Sequence, residues 1–236
     1  MKFGVKTYAD AKFADYFKDK ADFLEIMAIP EKDYSFLEGY PLPIVIHAMH
    51  DAFGVNVADP DLMEKNMVSI NFAIELADSL NSKKIILHPG LLRKENDSAG
   101  HAIKFFKDLD ERIIFENMPP QGGFLCSAFN DSEKFGFETK KGICFDINHA
   151  LQTAMVSNID LIYIVKDFLK LKPSHYHLSG QNGSAESETH LCFEDSTIPT
   201  GEILNLIPQD AEVTLEVTTD IATTVKDLEF VRSLVA

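Results

Sequence analysis

Apolar residues along this chain fall into short continuous runs separated by longer stretches with helical spacing. Eight runs have the length and make-up of strands: 2–7 (KFGVKT), 22–27 (DFLEIM), 43–47 (PIVIH), 84–88 (KIILH), 112–116 (RIIFE), 142–146 (GICFD), 174–178 (SHYHL) and 212–216 (EVTLE). Most are unbroken rather than alternating, as parallel strands covered on both faces should be. Within 60–80, Leu62, Met63, Met67, Ile70, Ala73, Ile74 and Ala77 fall near i, i+3, i+4, i+7, which predicts a helix. Asp59-Pro60 supplies its start, a capping side chain followed by a residue preset for the first turn. Segments 99–109, 158–171 and 219–235 predict helices in the same way, with Pro199 and Asp220 punctuating the last two. The connection 28–42 is Pro-rich and irregular. Strands alternating with helices predict an α/β chain folded as a (β/α)8 barrel rather than a doubly wound sheet. No linker, low-complexity stretch or close repeat interrupts the pattern, so 1–236 reads as a single barrel domain.

Six successive strands end on, or just before, residues able to bind metal. His47, His88, Glu116, Asp146, His149, His177, Glu188, His190 and Glu216 form that series. In a (β/α)8 barrel the C-terminal strand ends carry the chemistry, so the series predicts a polynuclear centre at the mouth. Glu116 follows three apolar residues and Glu216 follows Val213-Thr214-Leu215, and a buried carboxylate there is costly unless paired or metal-bound. His88 precedes Pro89-Gly90, a turn that leaves the imidazole at the rim. His175 and His177 share a strand face, with His177 nearer the end as ligand and His175 a layer below as support. Glu25, His50, Asn117 and Asn148 are candidates for bracing ligands or touching substrate.

Charge narrows the substrate. The formal net charge is −15 with only three arginines, Arg93, Arg112 and Arg232, a poor surface for a polyanion. The three cysteines, Cys126, Cys144 and Cys192, form no CxxC pair, which argues against a thiolate zinc site or a disulfide framework. No apolar run approaches the ~18 residues needed to span a bilayer, and the first residues lack a secretory signal. The expectation is a cytoplasmic protein with no membrane partner.

The ordered motifs resemble the xylose-isomerase-like TIM barrel superfamily, and within it the endonuclease IV branch, also called AP endonuclease family 2. His47 is similar to that family's first ligand, and His88-Pro89-Gly90 to its H-P-G. Glu116-Asn117 resembles its E-N, Asp146-Ile147-Asn148-His149-Ala150 its D-x-x-H-A, and His177-Leu178 its H-L. Glu216 stands where its last carboxylate does. The resemblance implies zinc, two to three ions, around a phosphodiester. Glu116 would bridge an ion held by His47 and His88 to one held by Asp146, His177 and Glu216, with a third on His149, His190 and Glu188. The family's D-x-H is Glu188-Thr189-His190 here, a longer acid with no arginine between.

Two activities follow. The first is a zinc-dependent phosphoester hydrolase in which Glu116 bridges and Glu216 and Asp146 orient water or accept its proton. The acidic surface and short loops argue against duplex abasic DNA and for a small phosphorylated substrate, damaged DNA remaining the family's own. The alternative is a sugar or sugar phosphate isomerase or epimerase using one manganese or magnesium ion. There Glu116, Asp146, His177 and Glu216 would hold the ion, with Glu116 and Glu216 as the acid–base pair. A barrel that binds without catalysis leaves the convergence of ligands unexplained.

Overall fold

The computed structural model describes residues 1–182, 190–217 and 220–235. Eight parallel strands close into a barrel in chain order. They are β1 (Lys2–Thr7), β2 (Phe23–Ala28), β3 (Ile44–Ala48), β4 (Ile85–Leu87), β5 (Ile113–Glu116), β6 (Ile143–Asp146), β7 (His175–Leu178) and β8 (Glu212–Leu215). Each lies within two residues of a predicted strand at either end. Most strand positions are buried, because helices cover the outside and side chains fill the inside.

Among the described residues the helices are α1 (Ala11–Phe17), α2 (Met63–Ser79), α3 (Ala99–Lys107), α4 (Phe129–Thr139), α5 (Ile147–Ser157), α6 (Leu161–Leu169), α7 (Thr200–Leu206) and α8 (Ile221–Val235). Side-chain caps start several of them. Asp10 accepts from the amides of Lys12 and Phe13, Ser98 from that of His101, and Asp160 from that of Tyr163. Asp59 caps a single 3-10 turn, Pro60–Leu62, that runs into α2. Between β2 and β3 the chain makes only one short 3-10 turn, Ser35–Leu37, so this unit lacks a covering helix. Its aromatic residues close the gap: Tyr34 is buried and its hydroxyl donates to the Met27 carbonyl at 2.6 Å.

Two cores result. The larger packs the outer strand faces against the helices, and a smaller one of Phe23, Val45, Ile86, Ile114 and Cys144 plugs the barrel interior. Gly4 pairs in register with Phe23, whose ring comes within 2.2 Å of where a Gly4 Cβ would lie. The missing side chain therefore lets the plug form. Above the plug the interior turns from apolar to charged.

No described helix is long and apolar enough to cross a membrane.

Candidate metal centre

Strand register builds the charged layers. Lys6 is the in-register partner of Glu25, Met27 of His47, and Asp146 of His177. On the other flank of β1, Val5 pairs with Leu215, which brings Glu216 beside Lys6 at the rim. Glu25, His47, Glu116, Asp146, His149, His175 and His177 are all buried.

Glu116 stands at the middle, and its two oxygens face different groups. Oε2 lies 3.3 Å from His47 Nε2 and 3.4 Å from His88 Nε2. Oε1 lies 3.3 Å from His177 Nδ1 and 3.5 Å from His149 Nδ1. Beyond His177 Nδ1 sit Glu216 Oε1 at 3.2 Å and Asp146 Oδ2 at 3.9 Å. Charge-assisted N–H···O bonds are shorter, about 2.7–2.9 Å. Donor atoms about 2.0–2.1 Å from one tetrahedral ion stand roughly 3.4 Å apart. The spacing around Glu116 therefore suits donors gathered for divalent ions, and the donor set of imidazoles and carboxylates suits zinc.

On His47, His177 and His149 one ring nitrogen is already committed, which fixes which nitrogen is left for the centre. His47 Nδ1–H donates to the Ala48 carbonyl at 2.8 Å. His177 Nε2–H donates to Glu25 Oε2 at 3.1 Å. Glu25 is held in turn by the Thr214 hydroxyl at 2.6 Å, and His175 Nε2–H reaches Thr214 Oγ1 at 2.8 Å. His149 Nδ1–H donates to the Asn117 carbonyl at 2.6 Å, so a metal bond from this ring would run through Nε2. Asn148 Oδ1 accepts from the Ser179 amide at 3.0 Å, joining the start of α5 to the end of β7.

Protonation follows the same geometry. Burial drives the His47 imidazole down to about 4, with Lys6 adding to the effect, so the ring is neutral and able to ligate. Burial opposes charge on His177 too, yet Cys144 and the carboxylates of Glu216, Glu25 and Glu116 raise it well above an ordinary histidine, a proton that a divalent ion at Nδ1 would displace. Glu116 is held well below the usual carboxylate range: burial works against this, but His177 and His88 override it.

At the rim, His50 stacks on His88 with ring centroids 4.6 Å apart. Asp51 lies 3.4 Å from His50 Nδ1, 3.7 Å from His88 Nδ1 and 3.7 Å from Arg93. His190 is largely exposed; its Nδ1–H donates to the Glu216 carbonyl at 2.8 Å, with Glu216 Oε2 at 4.0 Å. Glu188, the expected companion of His190, lies outside the described residues.

Three residues of the centre had not been singled out. Lys6 salt-bridges Glu216 and reaches Glu25 Oε1 at 3.2 Å, so Glu216 has an ion-pair partner as well as metal-ligand neighbours. Asp51 and Thr214 are the others. Asp51 follows His50 directly and could have been found as an acid beside two strand-end histidines. Thr214 and Lys6 carry no such signal. Asp146 passes straight from strand to helix, with no loop between β6 and α5. It accepts the His149 amide at 2.7 Å and begins α5 itself.

The chain is similar to proteins of more than one activity. A probable endonuclease 4 of Thermoplasma acidophilum is 23% identical over 175 residues, covering 69% of this chain and 62% of that protein. The structure of a D-tagatose 3-epimerase-like protein superposes with a TM-score of 0.76 at 22% identity, over 100% of this chain and 97% of the other. Endonuclease IV from Thermus thermophilus superposes with a TM-score of 0.72 at 19% identity, over 100% and 99%. The family model for xylose isomerase-like TIM barrels matches residues 22–234, and the chain belongs to that family.

Proposed function

We propose that the mouth of this barrel is a two-ion hydrolytic centre acting on a small phosphodiester. The observation that carries the reading is the division of Glu116, with Oε2 toward His47 and His88 and Oε1 toward His177. A carboxylate divided this way is suited to bridge two divalent ions, one held by His47 and His88, the other by Asp146 and His177. Bound zinc would lower the pKa of water toward ~7 and draw charge from a phosphoryl oxygen. Asp146, its Oδ1 fixed by the His149 amide, is suited to orient an attacking water and accept its proton. Glu25 keeps His177 turned so that Nδ1 faces the centre.

Charge balance links metal number to substrate. Among the described residues Asp51 is offset by Arg93, which leaves the four negative charges of Glu25, Glu116, Asp146 and Glu216, and Lys6 cancels one of these. Two divalent ions would leave a single positive charge, which complements a singly charged phosphodiester. One ion would leave a single negative charge, which suits a neutral sugar. All three arginines are already paired with aspartates: Arg93 with Asp51, Arg112 with Asp78 and Asp110, Arg232 with Asp22. A long polyanion therefore gains little from this surface at a net charge of −15.

The second reading, sugar isomerisation or epimerisation with Glu116 and Glu216 as acid and base, draws on the same acidic surface. Elemental analysis separates the two, combined with hydrolysis of a chromogenic phosphodiester and a panel of neutral ketoses. Two ions per chain with phosphodiester cleavage is the expected result. One ion with ketose turnover would replace this reading by the second.

A further inference from the structure

We propose that the Lys6 ammonium occupies a cation site between the carboxylates of Glu25 and Glu216, beside His47, and so lowers by one the number of divalent ions the mouth can hold. Ligand atoms of Glu25, His47 and Glu216 lie within 4.8 Å of one another, a grouping that could hold an ion. Lys6 Nζ sits against two of the three, in contact with Glu216 Oε1 and 3.2 Å from Glu25 Oε1. Its side chain is 10% exposed, so water does little to screen these contacts. It is delivered there by the fold. Lys6 is the register partner of Glu25 on one neighbouring strand and adjoins Glu216 on the other.

The consequence reaches the ligand set. Glu216 Oε1 is the oxygen that faces His177 Nδ1, and the same oxygen carries the ammonium. Glu216 is therefore committed to Lys6, leaving His47, His88 and Glu116 around one ion and Glu116, Asp146 and His177 around the other. A buried carboxylate without a counter-charge is costly. Deleting the ammonium would leave Glu25 and Glu216 to recruit another cation, and a side chain no larger than alanine would leave room for it.

The inference rests on the metal-centre reading but is tested separately from it. Metal per chain is measured by elemental analysis on wild type, Lys6→Ala, Lys6→Arg and Glu216→Gln, each purified and equilibrated with zinc alone. The expected result is one more ion in Lys6→Ala than in wild type, and an unchanged count in Lys6→Arg and Glu216→Gln. A folded Lys6→Ala with the wild-type count would overturn the inference, as would loss of an ion in Glu216→Gln. Should Lys6→Ala fail to fold, Glu216→Gln still decides. The wild-type count itself tests the proposed function: a single ion there would remove the two-ion reading, while a gain of one in Lys6→Ala would still uphold the role of Lys6.

Discussion

The side-chain amide of Asn117 closes on the backbone of Asp146 from both sides. Its Nδ2 donates to the Asp146 carbonyl at 2.9 Å and its Oδ1 accepts from the Asp146 amide at 2.7 Å. The carbonyl of Asn117 also holds His149. One residue at the end of β5 thus sets the position of two candidate ligands on the next strand and helix.

Asn117→Ala should therefore weaken metal binding by about 10–100-fold, the usual cost of losing an outer support. Competition against a chromogenic chelator measures this. An unchanged affinity would mean that α5 positions Asp146 without help.

Stripping the protein with a chelator should lower its urea midpoint, and zinc should restore it. Buried carboxylates around Glu116 repel one another unless ions or imidazolium charges intervene. An ion at a hundredfold excess over its dissociation constant stabilises the native state by about 2.7 kcal/mol. A midpoint indifferent to chelator would show that the fold does not depend on loading.

Gly4→Ala should destabilise the barrel by about 1–3 kcal/mol, the cost of overpacking, because the new methyl group would meet the Phe23 ring at 2.2 Å. Pairing it with Phe23→Leu should recover part of the loss. Additive losses in the double variant, measured by denaturant unfolding, would contradict the packing account.

Asp227, on α8, gives a pH-dependent test away from the centre. Burial raises its carboxyl above the ordinary value, the Phe193 amide lowers it in part, and Asp195 and Glu194 raise it further. An acid raised on folding binds more protons folded than unfolded, so its contribution to stability falls as pH rises from the ordinary value through the raised one. At neutral pH its charge is a net cost, and Oδ2 is buried with no hydrogen-bond partner among the described residues. Asp227→Asn keeps an oxygen for the Phe193 amide, which donates at 2.9 Å. The variant should gain on the order of 1 kcal/mol at pH 7, the gain shrinking toward about pH 4. A gain equal at both pH values would point to packing instead of charge.

Five strands, β3 to β6 and β8, were legible because two independent signals coincide there: a largely apolar run and a polar residue closing it. Glu116 after IIF and Asp146 after ICF illustrate this. The helices were legible where a run of apolar residues at helical spacing stands clear, as in α2, α3, α6 and α8. At seven residues each, α1 and α7 have too few turns for a period to emerge. In α4, Gly136 and polar neighbours blur the pattern, and α5 starts with no loop to announce it. Lys6 illustrates a different limit. Its meaning depends on Glu25, 19 residues away, and Glu216, 210 residues away. Such a pairing is a property of barrel register, which no local window contains.

Asp146 accepts the amide proton of His149 while offering its other oxygen toward His177. Helix nucleation and ligand positioning thus share one carboxylate. Occupation of the centre and fraying of the first turn of α5 are then opposing claims on the same group's freedom. The amide of His149 becomes a reporter: its exchange with solvent deuterium should slow on loading, through order gained at a helix start rather than any change of shape.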